Sequence, residues 1–170
     1  MTSEEEETKR ACAVVGELIL ITSALDNQLN QVCISVLALA DSPMLEPLVA
    51  SIDSARKVEL LKAYASKITS AAWKKGLKDH AEAVEVVNRA RNVAAHSTLS
   101  FQDGRAALHS IAAAKLFKSI DLKTKTTERI DLSELEKAIR KGEATLASGV
   151  NLLENFKRIA AERERAENRG

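Results

Sequence analysis

Aromatic residues and prolines are scarce in this chain of 170 residues. The aromatic fraction is 3%, and both prolines, Pro43 and Pro47, lie in one short segment. Aromatic and β-branched residues favour strands, whereas the abundant alanines and leucines favour helices, so this composition predicts a mainly helical protein. Hydrophobic residues make up 45% and charged residues 29% of the chain, which is the balance of a globular domain rather than of a disordered one.

The net charge is close to zero, because the chain has 25 Lys and Arg residues and 24 Asp and Glu residues, which gives a formal charge of +1. No overall field therefore attracts nucleic acid or a membrane surface, although a local basic patch remains compatible with this balance. The first residues, MTSEEEETKR, are acidic, which is the reverse of a signal peptide, and no apolar run reaches transmembrane length. We therefore expect a cytoplasmic protein with no membrane partner.

Cysteine and histidine are scarce as well, with two and three residues. Cys12 and Cys33 fall far apart on one predicted helix, beyond disulfide reach, and we expect both to be reduced and half-buried. There is no CxxC, HExxH or paired-histidine spacing, so we expect neither a metal site nor another cofactor. His80 and His109 lack partners at ligand spacing, which favours surface or half-buried structural roles for both.

Four long helices are predicted from the spacing of apolar residues, over about 9–40, 54–69, 70–96 and from about 133 onward. The first carries apolar residues on two faces, so one face packs in the bundle while the other fits a two-fold interface with a second chain. Asp53 or Ser54 is suited to cap the second helix. Ser133 with Glu136 reads as a capping box at the start of the last one.

Residues 97–130 change character, because Asp103-Gly104 predicts a tight turn between two short strands and the stretch 116–122 alternates without a helical period. The predicted fold is therefore all-α, a four-helix bundle-like domain over 9–160, with a small β-hairpin or irregular insertion at 97–130 before the last helix. Residues 1–8 are expected to be an acidic frayed N-terminus, and residues 161–170 a charged tail that is exposed or disordered.

The stretch VNRARNVAAHSTLSF, residues 87–101, places Asn88, Asn92 and His96 in one row, since residues four apart share a helix face. Arg91 lies off that row but within reach of the same helix end. Capping and the helix dipole are one explanation of such a row, and a polar cleft or interface is the other. The rest of this helix suits burial, which favours the cleft.

The segment Arg91-Asn92-Val93-Ala94-Ala95-His96 resembles the signature of the HEPN superfamily, an arginine followed after four to six residues by a histidine. In that family Asn, Asp or His typically follows the arginine, as Asn92 does here. The order of elements is also similar: a long first helix with LDNQLNQV, a helix with SARKVELLKAY, the motif helix, an irregular segment and a last helix. The resemblance covers about residues 10–160 and implies an all-α domain built on a four-helix bundle.

The resemblance implies a metal-independent endoribonuclease in which Arg91 and His96 are catalytic and Asn92 supports them. Histidine exchanges protons near neutral pH and suits deprotonation of the RNA 2′-hydroxyl, while an arginine fork suits the charge gained by the attacked phosphate. The products would be a 2′,3′-cyclic phosphate and a 5′-hydroxyl. The resemblance further implies a homodimer in which two motifs meet in one cleft, and a toxin or phage-defence effector with a cognate antitoxin protein as partner.

Possible RNA contacts beside the motif are Asn88, Arg89, Ser97 and Thr98, with Arg105, Lys115 and Lys118 as rim cations that are individually better explained as solvated charges. Thr98 stands where one branch of the family has a tyrosine that a nucleotidyltransferase modifies, so that regulation is not expected here. The alternative function is a non-catalytic HEPN-like module for dimerisation, RNA binding or regulation.

Overall fold

The structure is a computed structural model of the chain and describes residues 3–37, 44–102, 105–111 and 127–167. It confirms the predicted fold class, a helical bundle with a small β insertion before the last helix. The described elements are α1 (Ser3–Val36), α2 (Leu45–Ala50), α3 (Ser54–Lys67), α4 (Ala71–Ala95), β1 (Ser97–Gln102), β2 (Arg105–Ile111), β3 (Thr127–Asp131) and α5 (Leu132–Glu167).

Helices α1, α3, α4 and α5 surround one apolar core. α1 and α5 run parallel, because Arg10 binds Glu136 with an N–O distance of 2.8 Å and Gln28, further along α1, donates to the carbonyl of Leu146 at 2.9 Å. α4 runs antiparallel to α5, so its first turns lie beside the second half of α5. The apolar residues recur at helical spacing, and the fully buried ones are Leu18, Leu25, Leu29, Val32, Leu61, Leu77, Val84, Val87 and Leu135.

Helix α3 begins at Ser54, directly after Asp53, one of the two capping residues predicted from the sequence. The Asp53 carboxylate accepts a hydrogen bond from the backbone N–H of Arg56 at 3.0 Å, so Asp53 and not Ser54 is the capping residue. α3 and α4 are antiparallel neighbours joined by a short link, and an ion pair of 2.5 Å between Lys62 and Glu85 spans them. The first turns of α3 therefore lie beside the last turns of α4.

The three strands form one antiparallel sheet in the order β1-β2-β3. Gln102 pairs with Arg105 across the β1–β2 hairpin, while the predicted turn residues 103–104 and the alternating stretch 116–122 lie outside the described residues. The sheet is attached to the bundle at the first turns of α1, where the Glu7 carboxylate accepts a hydrogen bond from the backbone N–H of Ala106 at 3.0 Å. β3 was not predicted from the sequence.

Two expectations about the starts of helices are wrong. Helix α1 starts at Ser3, so residues 3–8 are its first turns rather than a frayed lead. α5 starts at Leu132 directly after β3, which leaves Ser133 inside the helix and Glu136 bound to Arg10 instead of forming a capping box. Residues 161–167 continue α5, and residues 161, 162, 165 and 166 are exposed, which is one of the two alternatives expected for the charged tail.

The residues expected to be half-buried differ in burial. Cys12 is exposed, whereas Cys33 is buried, and desolvation raises the pKa of the Cys33 thiol to about 11. His109 is half-buried as expected, but His80 is 2% exposed rather than at the surface. His80 is buried because it lies one turn from Leu77 and Val84 on the side of α4 that faces the core and α5.

Helix α1 is more apolar than expected, since no apolar run of transmembrane length was predicted from the sequence. It contains an 18-residue window with a mean hydropathy of 1.3, which is long and apolar enough to cross a membrane by those two measures alone. In this fold 28% of that window is buried inside the bundle. Core helices of helical bundles meet the same two measures, so the window does not distinguish a membrane span from a core helix.

Candidate functional site

The motif residues lie where α4 gives way to β1. His96 leaves the helical conformation at φ −110° and ψ 16°, and its backbone N–H still donates to the carbonyls of Asn92 and Val93. β1 begins at the next residue, Ser97, so the helix end is held between the bundle and the sheet. This fixes the direction in which the last turn of α4 presents its side chains.

An open groove of about 550 Å³ lies between the start of α3 and the last turns of α4. We call it the motif groove. It brings together the whole polar row predicted on α4, together with the charged residues beside that row. Its lining residues are Asp53, Ser54, Ala55, Val58, Glu85, Asn88, Arg89, Arg91, Asn92, Val93 and His96.

Arg91, Asn92 and His96 all face this groove with free side chains. Asn92 and His96 are exposed and Arg91 is half-buried. Within the described part of the chain, none of the three side chains makes a hydrogen bond or an ion pair. The cap at the helix end involves only the backbone of His96, so capping does not account for these polar groups.

The other charges of the motif groove are paired. Glu85 binds Lys62 at 2.5 Å and Arg89 at 3.4 Å, and the Lys62 ammonium, followed by Arg89, lowers the pKa of the Glu85 carboxyl. The Asp53 carboxylate is engaged by the backbone of Arg56. Arg91 is therefore the lining cation that no described carboxylate neutralises, so the groove offers its charge to an anion.

Ser54 is a lining residue that the motif did not indicate. Its hydroxyl donates to the Asp26 carboxylate of α1 at 2.5 Å, and the buried ammonium of Lys57 contacts the same oxygen at 3.3 Å. The only sequence signal at this position was its suitability as a helix cap. Sequence spacing within α4 carries no information on which turn of α3 packs opposite, so Ser54 was not predicted as part of the site.

Asn88 sits in the wall of the groove with its amide oxygen buried and without a hydrogen-bond partner among the described residues. Ser97 and Thr98 are not among the lining residues. The Ser97 hydroxyl donates to the carbonyl of Val93 at 2.6 Å, and the Thr98 hydroxyl donates to that of His109 at 3.4 Å. Arg105 is exposed at the β1–β2 turn, and residues 115 and 118 lie outside the described residues.

A second, smaller cleft of about 290 Å³ adjoins the motif groove and shares Arg89 and Val93 with it. Its walls are mainly apolar and come from α4, β3 and the start of α5. The remaining lining residues are Val86, Ala90, Ile130, Glu134 and Leu135. Val86 on α4 and Leu99 and Phe101 on β1 are exposed apolar side chains, at 45%, 37% and 38%.

Neither a cluster of metal ligands in the described residues nor a match to a known protein adds to this description of the site. Among residues 3–37, 44–102, 105–111 and 127–167, no group of three or more His, Cys, Asp or Glu side chains is placed to hold a metal ion. No protein-family model matches the chain, and neither a curated protein nor a solved structure does.

Proposed function

We propose that this chain is a metal-independent endoribonuclease of the HEPN type, with the motif groove as its active site. One observation carries the proposal: Arg91, Asn92 and His96 line one open groove, and their side chains are unengaged among the described residues. The family resemblance of the same three residues gives the reaction. The cytoplasm, where a toxin or phage-defence effector and its antitoxin meet RNA, is the proposed location.

The proposed reaction needs only the groups that RNA and two motif grooves supply. His96 takes the proton of the 2′-hydroxyl, and the 2′-oxygen forms a bond to phosphorus while the bond to the 5′-oxygen breaks. Arg91 holds the two non-bridging phosphate oxygens, whose charge grows as the attack proceeds. The leaving 5′-oxygen receives its proton from the imidazolium of His96 of a second copy, in the proposed homodimer in which two motif grooves meet.

The local charge favours an RNA phosphate over other positions on this surface. Arg89 is 74% exposed and already paired with Glu85, so its charge is screened and partly neutralised. Arg91 is half-buried beside His96 and has no carboxylate partner in the described structure. A phosphate bound at Arg91 therefore lies in reach of the imidazole, and Asn92 is placed to orient either group.

The deciding experiment is cleavage of a structured RNA in the presence of EDTA by the wild type, His96→Ala and Arg91→Ala. We expect each substitution to lower the rate by about a hundredfold to ten-thousandfold, the usual contribution of a positioned acid–base group or charge. His109→Ala and Arg56→Ala are the matched controls, because these residues lie outside the motif groove. A 2′-deoxy substitution at the cleaved position should abolish cutting by the wild type.

Equal activity of wild type and His96→Ala would contradict the proposal, and so would activity that EDTA removes. RNA binding by the wild type without any cleavage would instead favour the non-catalytic alternative, a HEPN-like dimerisation, RNA-binding or regulatory module. The same groove would then bind RNA through Arg91, and Arg91→Ala would weaken that binding while Arg56→Ala would not.

A further inference from the structure

A second groove, of about 670 Å³, lies between the first half of α4 and the middle of α5. We call it the α4–α5 groove. The two helices touch closely further along, where Gly142 of α5 meets Val87 of α4, but here small residues face each other and leave space. The small lining residues are Ala72, Gly76 and Ala83 on α4 and Ala144 and Ser148 on α5.

His80 lies in the wall of this groove and is the reason to regard it as a site. It is 2% exposed, and neither ring nitrogen has a hydrogen-bond partner among the described residues. A buried imidazole without partners costs stability, whereas an apolar side chain of similar size would not. Both nitrogens are buried and His80 is a lining residue, so a group bound in the groove is the partner that this imidazole lacks within the described chain.

The chemistry of the groove changes along its length. Because α4 and α5 are antiparallel, with Val87 near Gly142 and Trp73 near Phe156, one end of the groove has Thr145 and Lys141. His80 lies toward the middle, beside the apolar Leu77 and Leu152. At the other end Trp73 stacks on Phe156 with ring centroids 5.2 Å apart, beside Asn155 and Arg158.

The charged side chains of the groove that have no ion-pair partner among the described residues are positive. Lys141 and Arg158 make no ion pair within the described part of the chain. The acidic lining residue, Asp79, binds Lys75 at 2.5 Å and is thereby neutralised. A volume of this size, a mainly apolar wall and a few polar groups at the ends are typical of small-molecule sites rather than of flat protein interfaces.

We propose that the α4–α5 groove binds a small amphipathic organic anion, a monocarboxylate with an unbranched apolar body. Its carboxylate accepts one hydrogen bond from the imidazole of His80 and lies on the side of the groove where Lys141 supplies positive charge. Its apolar body lies against Leu77 and Leu152 and ends near Trp73. This site is separate from the motif groove and does not depend on the proposed ribonuclease activity.

Decanoate is the probe, and Trp73 is the reporter, because it is the only tryptophan of the chain. We expect decanoate to change the fluorescence of Trp73 saturably, with one molecule bound per chain by titration calorimetry. Acetate has the carboxylate without the apolar chain, and 1-decanol has the apolar chain without the carboxylate. Each should bind at least about tenfold more weakly than decanoate. Equal binding of 1-decanol and decanoate would overturn the assignment to an anion.

Two glycines provide a matched pair of variants. A side chain at Gly76 would enter the α4–α5 groove and one at Gly16 would project from the outer face of α1, and a Cβ at either position has nothing within 4 Å. Gly76→Phe should therefore abolish decanoate binding, while Gly16→Phe should bind as the wild type does. Retained binding by Gly76→Phe, or no saturable signal with the wild type, would overturn the proposal.

Two further variants test the polar end. Lys141→Met should weaken decanoate about tenfold and leave 1-decanol unchanged. His80→Leu should weaken decanoate while making the chain more resistant to urea, a combination that a purely structural histidine would not produce. If His80→Leu instead lowers resistance to urea and leaves decanoate affinity unchanged, His80 supports the fold and does not serve a ligand.

Discussion

At the scale of single residues, His80 makes stability depend on pH. Desolvation by burial lowers the pKa of its imidazole, so the folded protein resists a proton that the unfolded chain accepts. Titration of His80 therefore leaves stability unchanged above about pH 6.5 and lowers it below that value, because the unfolded chain binds a proton there, by up to about 1.4 kcal/mol per pH unit until the folded-state pKa is reached. Urea unfolding at about pH 7.5 and pH 5 measures this loss.

The comparison with His80→Leu isolates this effect from the carboxylates that titrate in the same range. The variant should lose less free energy of unfolding than the wild type between the two pH values. Equal losses in the wild type and His80→Leu would show that His80 is not protonated on unfolding.

The site residues differ in how far the sequence could reveal them. Asn88, Asn92 and His96 form a row at a spacing of four, and that spacing alone brought them to one face, where the structure has them. Ser54 joins the same groove through the packing of α3 on α4, which no local pattern encodes. His80 was misjudged because it was assessed only for metal-ligand partners, although it lies one turn from Leu77 and Val84 on the core-facing side of α4.

At the scale of elements, two glycines in helices have opposite roles. A Cβ at Gly142 of α5 would collide with the Cγ2 methyl of Ile21 on α1 and lie 3.5 Å from Val87 on α4. Gly142→Ala should therefore cost about 1–3 kcal/mol by overpacking, because Ile21 is β-branched and cannot move aside freely. Gly76→Ala should stabilise α4 by up to about 1 kcal/mol, since the added methyl meets nothing and alanine is the better helix former.

Urea denaturation midpoints of the two alanine variants measure this difference, with Gly16→Ala as a second open position. We expect the midpoint to fall for Gly142→Ala and to rise or stay unchanged for the other two. A rise for Gly142→Ala would mean that α1, α4 and α5 do not approach one another at this glycine.

The elements were predictable where local chemistry decides them. The apolar period gave the long helices, Asp53 caps α3 as its side chain suggests, and the hairpin was found from its turn residues. The start of α5 was misjudged because Ser133 and Glu136 fit a capping box locally, yet Arg10 of a distant helix takes Glu136. β3 was missed because its pairing with β2 joins strands separated by a long stretch of chain.

At the scale of the whole molecule, the sheet and the bundle together define the motif groove. α4 ends at Ala95, β1 starts at Ser97, and Glu7 of α1 holds the sheet through the backbone of Ala106. His96 is thus fixed from both sides while its ring remains exposed. The exposed apolar side chains Val86 on α4 and Leu99 on β1 belong to the elements that meet at His96, so a partner seated on them would cover one edge of the site.

A two-fold dimer that joins two motif grooves must use a surface next to them, and Val86 lies in the cleft that shares Arg89 and Val93 with the groove. The expectation from the sequence was an interface on the apolar second face of α1, where Leu20 is 72% exposed.

Since both positions are exposed, Val86→Asp and Leu20→Asp should fold alike. We expect sedimentation velocity to give the wild type and Leu20→Asp twice the 18.5 kDa of one chain, and Val86→Asp the mass of one chain with loss of RNA cleavage. If Leu20→Asp is monomeric while Val86→Asp is dimeric, the interface lies on α1. A wild type that is monomeric and cleaves RNA would show that one motif groove suffices for cleavage.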